Sequence, residues 1–193
     1  MRLFLILILA VAESGGKPPQ SKAKAVFAGG CFWSAESAFE KVRGVVSVTS
    51  GYTGGTTRNP TYASVSSGGT RHREAVEVIY DPALISYAQL LNVFWRNIDP
   101  TNGAGQFCDY GDQYRTAIFV HDDAQRQLAL ASKQSIERTK GFRIVTDVLP
   151  AGAFYRAEEY HQDYAKKNPV RYKFYRFNCG RDAKLNELWG STP

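Results

Sequence analysis

Apolar and polar positions alternate along this chain with two periods, and the switches between them mark its elements. Residues 23 to 30, "AKAVFAGG", read as a short buried strand ending at glycines; Ala35, Ala38, Phe39 and Val42 then recur at helical spacing. The junction sets Cys31 at a helix start. Residues 45 to 52 alternate as a strand, and a Gly, Thr, Asn and Pro-rich loop runs from Gly51 to about Arg73. Residues 74 to 81 form the next strand, followed by a helix capped by Ser86 with Tyr87, Leu90, Leu91 and Phe94 on one face. A second irregular stretch, 97 to 113, leads to a strand over 114 to 120. Asp122 and Asp123 start a helix that stops near Gly141, and residues 143 to 150 supply a further strand. The β-α-β-β-α-β order predicts an α+β fold: a ferredoxin-like split β-α-β sandwich with helices on one side of the sheet. From about Ala151 the chain should wrap this core as a short helix and loops, ending in a mobile basic tail.

Length and composition narrow the picture. At 193 residues and 44% hydrophobic, the chain suits one domain. Arg2, the apolar run over residues 3 to 12 and the small-residue pattern Ala10-Val11-Ala12 read as a signal peptide over 1 to 12. Residues 13 to 24 read as a flexible linker, and 25 to 193 as a single domain. The signal implies export, to a bacterial periplasm, with no membrane anchor after processing. The net charge of +6 is spread along the chain except in residues 166 to 181, where basic and aromatic residues interleave. That pattern suits a nucleic-acid binder or a solvated face; for an exported chain the second is expected, and no nucleic-acid partner.

The chemistry centres on "AGGCFWSAE", residues 28 to 36. Only a thiolate is a good nucleophile, and free N–H groups at a helix start stabilise negative sulfur. The plainer alternative for Cys31 is a buried free thiol acting as a small hydrophobe. Ser34 rules out a Cys-x-x-Cys dithiol here, so any disulfide partner lies elsewhere, at Cys108 or Cys179. Phe32 and Trp33 are adjacent and cannot share one inward stripe, so at least one should line a pocket suited to a thioether. Glu74 shares its strand face with Val76 and Val78. If that face is buried, desolvation raises the carboxyl pKa and keeps a proton available; otherwise Glu74 pairs with Arg71 or Arg73 at the rim. Tyr62, Tyr114 and Asp109 follow or occupy loops, with half-buried tyrosines and a turn-former as ordinary readings. The three histidines lack metal-ligand spacing, and no phosphate loop is present, so neither metal nor nucleotide is expected.

The segments "GCFWSAE", "GYTGG", "NPTY", "SGGTRHREAVEVIYDP", "VFWRNIDPT", "DYGDQYR" and "PAGAFYRAEEYHQDYAKKNP" closely resemble, in order, those of the A-type peptide methionine sulfoxide reductases. The resemblance implies reduction of the S epimer of methionine sulfoxide, free or in oxidised proteins, with no bound cofactor and an external thioredoxin-like dithiol, or dithiothreitol, as reductant. It implies that Cys31 is the nucleophile, Glu74 the acid, Tyr62 and Tyr114 donors to the sulfoxide oxygen, Phe32 and Trp33 the methyl-group wall, and Asp109 a substrate-orienting group. Some relatives recycle through cysteines in a glycine-rich tail that this chain lacks. Cys179, with Arg176 and Arg181 nearby to lower its pKa, is the expected resolving thiol, with Cys108 as its rival. A monomer is expected.

Overall fold

A computed structural model describes residues 21 to 190; the signal peptide expected over 1 to 12 lies outside the described residues. Strand β1 (Ala23–Ala28) takes up the last two positions of the expected linker: Lys24 pairs in register with Ile79, and its Nζ lies 2.7 Å from Glu77. It runs into α1 (Phe32–Phe39), then β2 (Val45–Thr53), α2 (Tyr62–Ser66), β3 (Arg73–Tyr80) and α3 (Tyr87–Trp95). A small hairpin, β4 (Gly105–Gln106) and β5 (Asp109–Tyr110), precedes β6 (Ala117–Val120), α4 (Asp123–Lys140), β7 (Asp147–Pro150) and β8 (Tyr155–Arg156).

The main sheet runs β7-β6-β1-β3-β2-β8, with every neighbouring pair antiparallel except β6 and β7. Its middle, β6-β1-β3-β2 with α1 and α3 as crossovers, is the expected split β-α-β; β7 and β8 extend it. One face carries Phe27, Val76 and Val78 against Phe39, Leu90, Phe94 and Trp95 of α1 and α3. The other is a smaller cluster of Val26, Ala28, Ala75, Ala117 and Phe119, covered by Leu149, Ala151 and Phe154. The helices thus lie on one side, and β3 is buried on both.

Four local expectations change. The strand expected from 114 begins only at Ala117; Tyr114 ends a 3-10 turn over 112 to 114, because Gly111 at φ +127° turns the chain and its carbonyl accepts the Tyr114 N–H. Residues 143 to 146 are held outside the sheet, the Val145 N–H donating to the Pro100 carbonyl. The long loop contains α2, fixed by a reciprocal cap between Thr61 and Ser64. The C-terminal region is not a mobile tail. It forms α5 (Tyr164–Lys167), α6 (Pro169–Asn178) and α7 (Arg181–Trp189), with Leu185 buried and the Trp189 indole donating to the Ile98 carbonyl at 3.0 Å. Among the described residues, no helix is long and apolar enough to cross a membrane.

Candidate active site

Cys31 sits at the N-cap of α1, where its carbonyl accepts the Ser34 and Ala35 N–H groups and its sulfur makes no capping bond. Gly30 precedes it at φ +80°, and a Cβ there would lie 2.5 Å from that of Gln106, so only glycine lets the chain turn this close to the β4 hairpin. The sulfur lines a pocket of about 90 Å³ together with Phe32, Trp33, Tyr62, Glu74, Asp109, Tyr114 and Tyr175. Seven of these eight residues are the candidates read from the sequence, brought from four separate segments.

Register places the acid. Glu74 lies opposite Tyr52 in the β2–β3 ladder, 2% exposed, and its Oε2 accepts the Phe32 N–H at 3.0 Å. Burial pushes its carboxyl up to about 8; the Phe32 hydrogen bond opposes this and the nearby Asp109 charge adds to it. The rim alternative is absent: Arg73 instead pairs with Asp147 at 2.6 Å and donates to the Thr116 carbonyl at 2.8 Å.

The thiol departs from expectation. A helix start was expected to favour the thiolate, but burial, followed by the Glu74 charge, pushes Cys31 up to about 12, while the nearby Tyr175 hydroxyl and the Arg181 charge oppose the rise. Desolvation outweighs the partial charge of one short helix. Burial thus favours the protonated form of both the sulfur and the carboxyl.

Phe32 is fully buried against Tyr52 and His161. Trp33 is half-buried, stacked 3.6 Å from Tyr164, with its indole N–H donating to His161 Nδ1 at 3.0 Å. Both rings line the pocket. Tyr62 is fixed by its backbone N–H to Glu158 Oε1 at 2.8 Å, while Glu158 Oε2 accepts the Tyr52 hydroxyl at 2.8 Å. Burial and the Glu74 charge raise the Tyr114 phenol, keeping it a donor. Asp109 accepts a short hydrogen bond from the Tyr175 hydroxyl.

Tyr175 was not singled out by the sequence reading. Its signal was present: Tyr172, Tyr175 and Cys179 fall at i, i+3 and i+7 of one helix, so both tyrosines share the cysteine's face. The sequence also set Cys179 and Cys108 against each other as resolving thiols, whereas the structure joins them in a disulfide spanning 71 residues and leaves Cys31 the free cysteine. The arginines expected beside Cys179 face elsewhere. Arg176 pairs with Asp182, and Arg181 turns into the interior.

The family model for peptide methionine sulfoxide reductase matches residues 23–192. The chain is 52% identical over 168 residues to the peptide methionine sulfoxide reductase MsrA of Bacillus licheniformis, covering 86% of this chain and 93% of the relative. It is 49% identical over 194 residues to MsrA 2 of Caulobacter vibrioides, covering 98% of each. The fold matches Mxr1 of Saccharomyces cerevisiae in reduced form at TM-score 0.75 and 32% identity, covering 82% of this chain and 92% of that one. The same yeast protein in complex with Trx2 matches at TM-score 0.55 and 26% identity, over 79% and 91% of the two chains.

Proposed function

We propose that this chain, which belongs to the A-type peptide methionine sulfoxide reductases and is a peptide-methionine (S)-S-oxide reductase, works by proton exchange within a neutral thiol and carboxyl pair. The observation that carries this reading is the shared pocket of Cys31 and Glu74, both buried, where desolvation favours the protonated form of each. The sulfoxide methyl group rests against Phe32 and Trp33, while Tyr62 and Tyr114 donate to its oxygen. Cys31 attacks the sulfoxide sulfur; Glu74 gives its proton to the oxygen and takes the thiol's, so both groups end the exchange uncharged and negative charge on sulfur is only transient. Oxygen passes to Cys31 as a sulfenic acid, two electrons from the thiol reduce the substrate sulfur, and methionine leaves.

Recycling uses the remaining cysteines as a pair. One thiol of Cys108 and Cys179 condenses with the sulfenic acid, releasing water and forming a disulfide with Cys31. The second thiol then exchanges, freeing Cys31 and closing the Cys108–Cys179 bond. A thioredoxin-like dithiol reopens it, a partner suggested by the Trx2 complex of the yeast structural relative.

The test is methionine release from each sulfoxide epimer with dithiothreitol as reductant. Activity on the S epimer that vanishes in Cys31→Ser supports the reading, and activity that persists in Cys31→Ser ends it. Free and peptide-bound sulfoxide are both proposed substrates. Export to a bacterial periplasm is proposed on the pattern of residues 1 to 12, with cell fractionation as its check, and a monomer is proposed, with solution mass as its check.

A further inference from the structure

Arg181 opens α7 yet is only 2% exposed. Its Nη2 donates to the Asn97 carbonyl at 2.7 Å and to the Gly29 carbonyl at 3.4 Å, two residues before Cys31. Its Nε and Nη1 are buried with no partner, and among the described residues no carboxylate stands within ion-pair distance of it. A buried guanidinium in no ion pair is costly to keep; its charge acts at a distance on the Asp109 carboxyl, whose pKa it lowers, and on the Cys31 sulfur, the other group beside it that can turn anionic.

Its placement is bound to the cysteine pair. The guanidinium lies 4.3 Å from the centre of the Phe107 ring. Phe107 immediately precedes Cys108, and Arg181 follows Cys179 by two residues, so the disulfide brackets the stack. Phe107 also holds φ +56°, a left-handed conformation that a bulky side chain adopts only where its surroundings enforce it. The neighbours felt by the Cys31 sulfur are Glu74 from β3, Asp109 from β5 and Tyr175 from α6, and Arg181 is the cation among them. Arg181 in turn feels Arg176, Tyr172 and Tyr175 besides Cys31, and its charge lowers the Asp109 carboxyl.

We infer that Arg181 is the counter-charge for the negative charge that Cys31 develops as its proton leaves, and that the Cys108–Cys179 bond holds it in place through Phe107. This rests on Cys31 being the nucleophile. Arg181 is a positioning residue: it reaches the sulfur through the electric field and through the Gly29 carbonyl, and substrate need not touch it. The sulfur therefore sits in its most cationic surroundings when the pair is closed.

With that disulfide closed, iodoacetamide reads Cys31 alone. Arg181→Met should slow alkylation at pH 8 about tenfold, displacing the curve of log rate against pH without changing its slope, and Arg181→Lys should restore most of the rate. A merely structural role predicts the opposite sign, because loosening the packing exposes the sulfur and speeds its reaction. Cys108→Ser combined with Cys179→Ser, which leaves Arg181 in place without its clamp, should slow alkylation in the same direction by a few-fold. An unchanged or faster rate in Arg181→Met, or, should that variant not fold, in the double serine variant, overturns the inference. Failure of the underlying reading is separate: it is sulfoxide reduction that survives Cys31→Ser, whatever the alkylation rates.

Discussion

The Glu74 carboxyl accepts the backbone N–H of Phe32 at 3.0 Å, tying the middle strand of the sheet to the first residue of the helix that Cys31 caps. One hydrogen bond thus fixes the acid beside the nucleophile. A glutamine can accept the same bond but cannot give up a proton of useful acidity. Glu74→Gln is expected to lower the single-turnover rate of methionine formation about 100-fold, with substrate affinity little changed. Quenched-flow measurement of methionine with fully reduced enzyme tests this.

Reaction through the neutral pair predicts a particular pH profile. Because burial raises the Glu74 carboxyl to about 8 and the Cys31 thiol to about 12, both protons are present below pH 8 and the single-turnover rate should be flat there. Above it the carboxyl ionises first and the rate should fall. A rate that climbs as pH passes 8 would show that the reacting form is the free thiolate. Glu74→Gln should lose the fall above pH 8.

The same shift makes a statement about stability. Glu74 titrates near its ordinary value of 4.5 when unfolded and at about 8 when folded, so between those pH values the folded chain binds more protons. The contribution of the group to stability is fully present below pH 4.5 and is lost as pH rises through 8. Glu74→Gln should therefore gain on the wild type by about 1.4 kcal/mol per pH unit across that window, then level off. Urea unfolding at three pH values inside and above the window checks both sign and slope.

Tyr175 donates its hydroxyl proton to Asp109, and that hydroxyl, in the pocket it shares with Cys31, lowers the thiol pKa. Tyr175→Phe keeps the ring and removes the hydroxyl. The expected result is a drop of about tenfold in Cys31 alkylation, which needs the charged sulfur, with the single-turnover rate, which uses the neutral thiol, much less changed. An unaltered alkylation rate would restrict Tyr175 to holding Asp109.

The cysteine pair predicts a stoichiometry. Fully reduced wild type given excess sulfoxide and no reductant should release about two methionines per chain, one before and one after the pair closes. Cys108→Ser combined with Cys179→Ser should release about one. Peptide mapping should find Cys108 bonded to Cys179 and a sulfenic acid trapped on Cys31. A final Cys31–Cys179 peptide would mean that the second exchange does not occur.

The elements set by periodicity and capping were legible because neighbours along the chain decide them: the Ser86 cap and the apolar face of β3 stand as read. Of the expected α1 stripe, Ala35 and Phe39 are buried, while Ala38 is only half-buried and Val42 lies past the helix end. Boundaries drifted where a distant group takes a backbone hydrogen bond, as at Val145, or where a single glycine turns the chain, as at Gly111. Seven of the eight pocket residues were legible because the short motifs that carry them hold those residue types at fixed spacing.

What the amino-acid order determined by itself was the split β-α-β core, the position of Cys31 at a helix start and the placing of Glu74 on an apolar strand face, since these depend on local period and on residue type. Only the tertiary structure decided the protonation of that pair, because desolvation is a property of the packed surroundings and here it outweighs the helix end. It also decided which cysteines bond and where Arg181 points: bringing Cys108 to Cys179 closes a span of 71 residues, and the docking of α6 and α7 on the core, rather than any nearby sequence, fixes their approach.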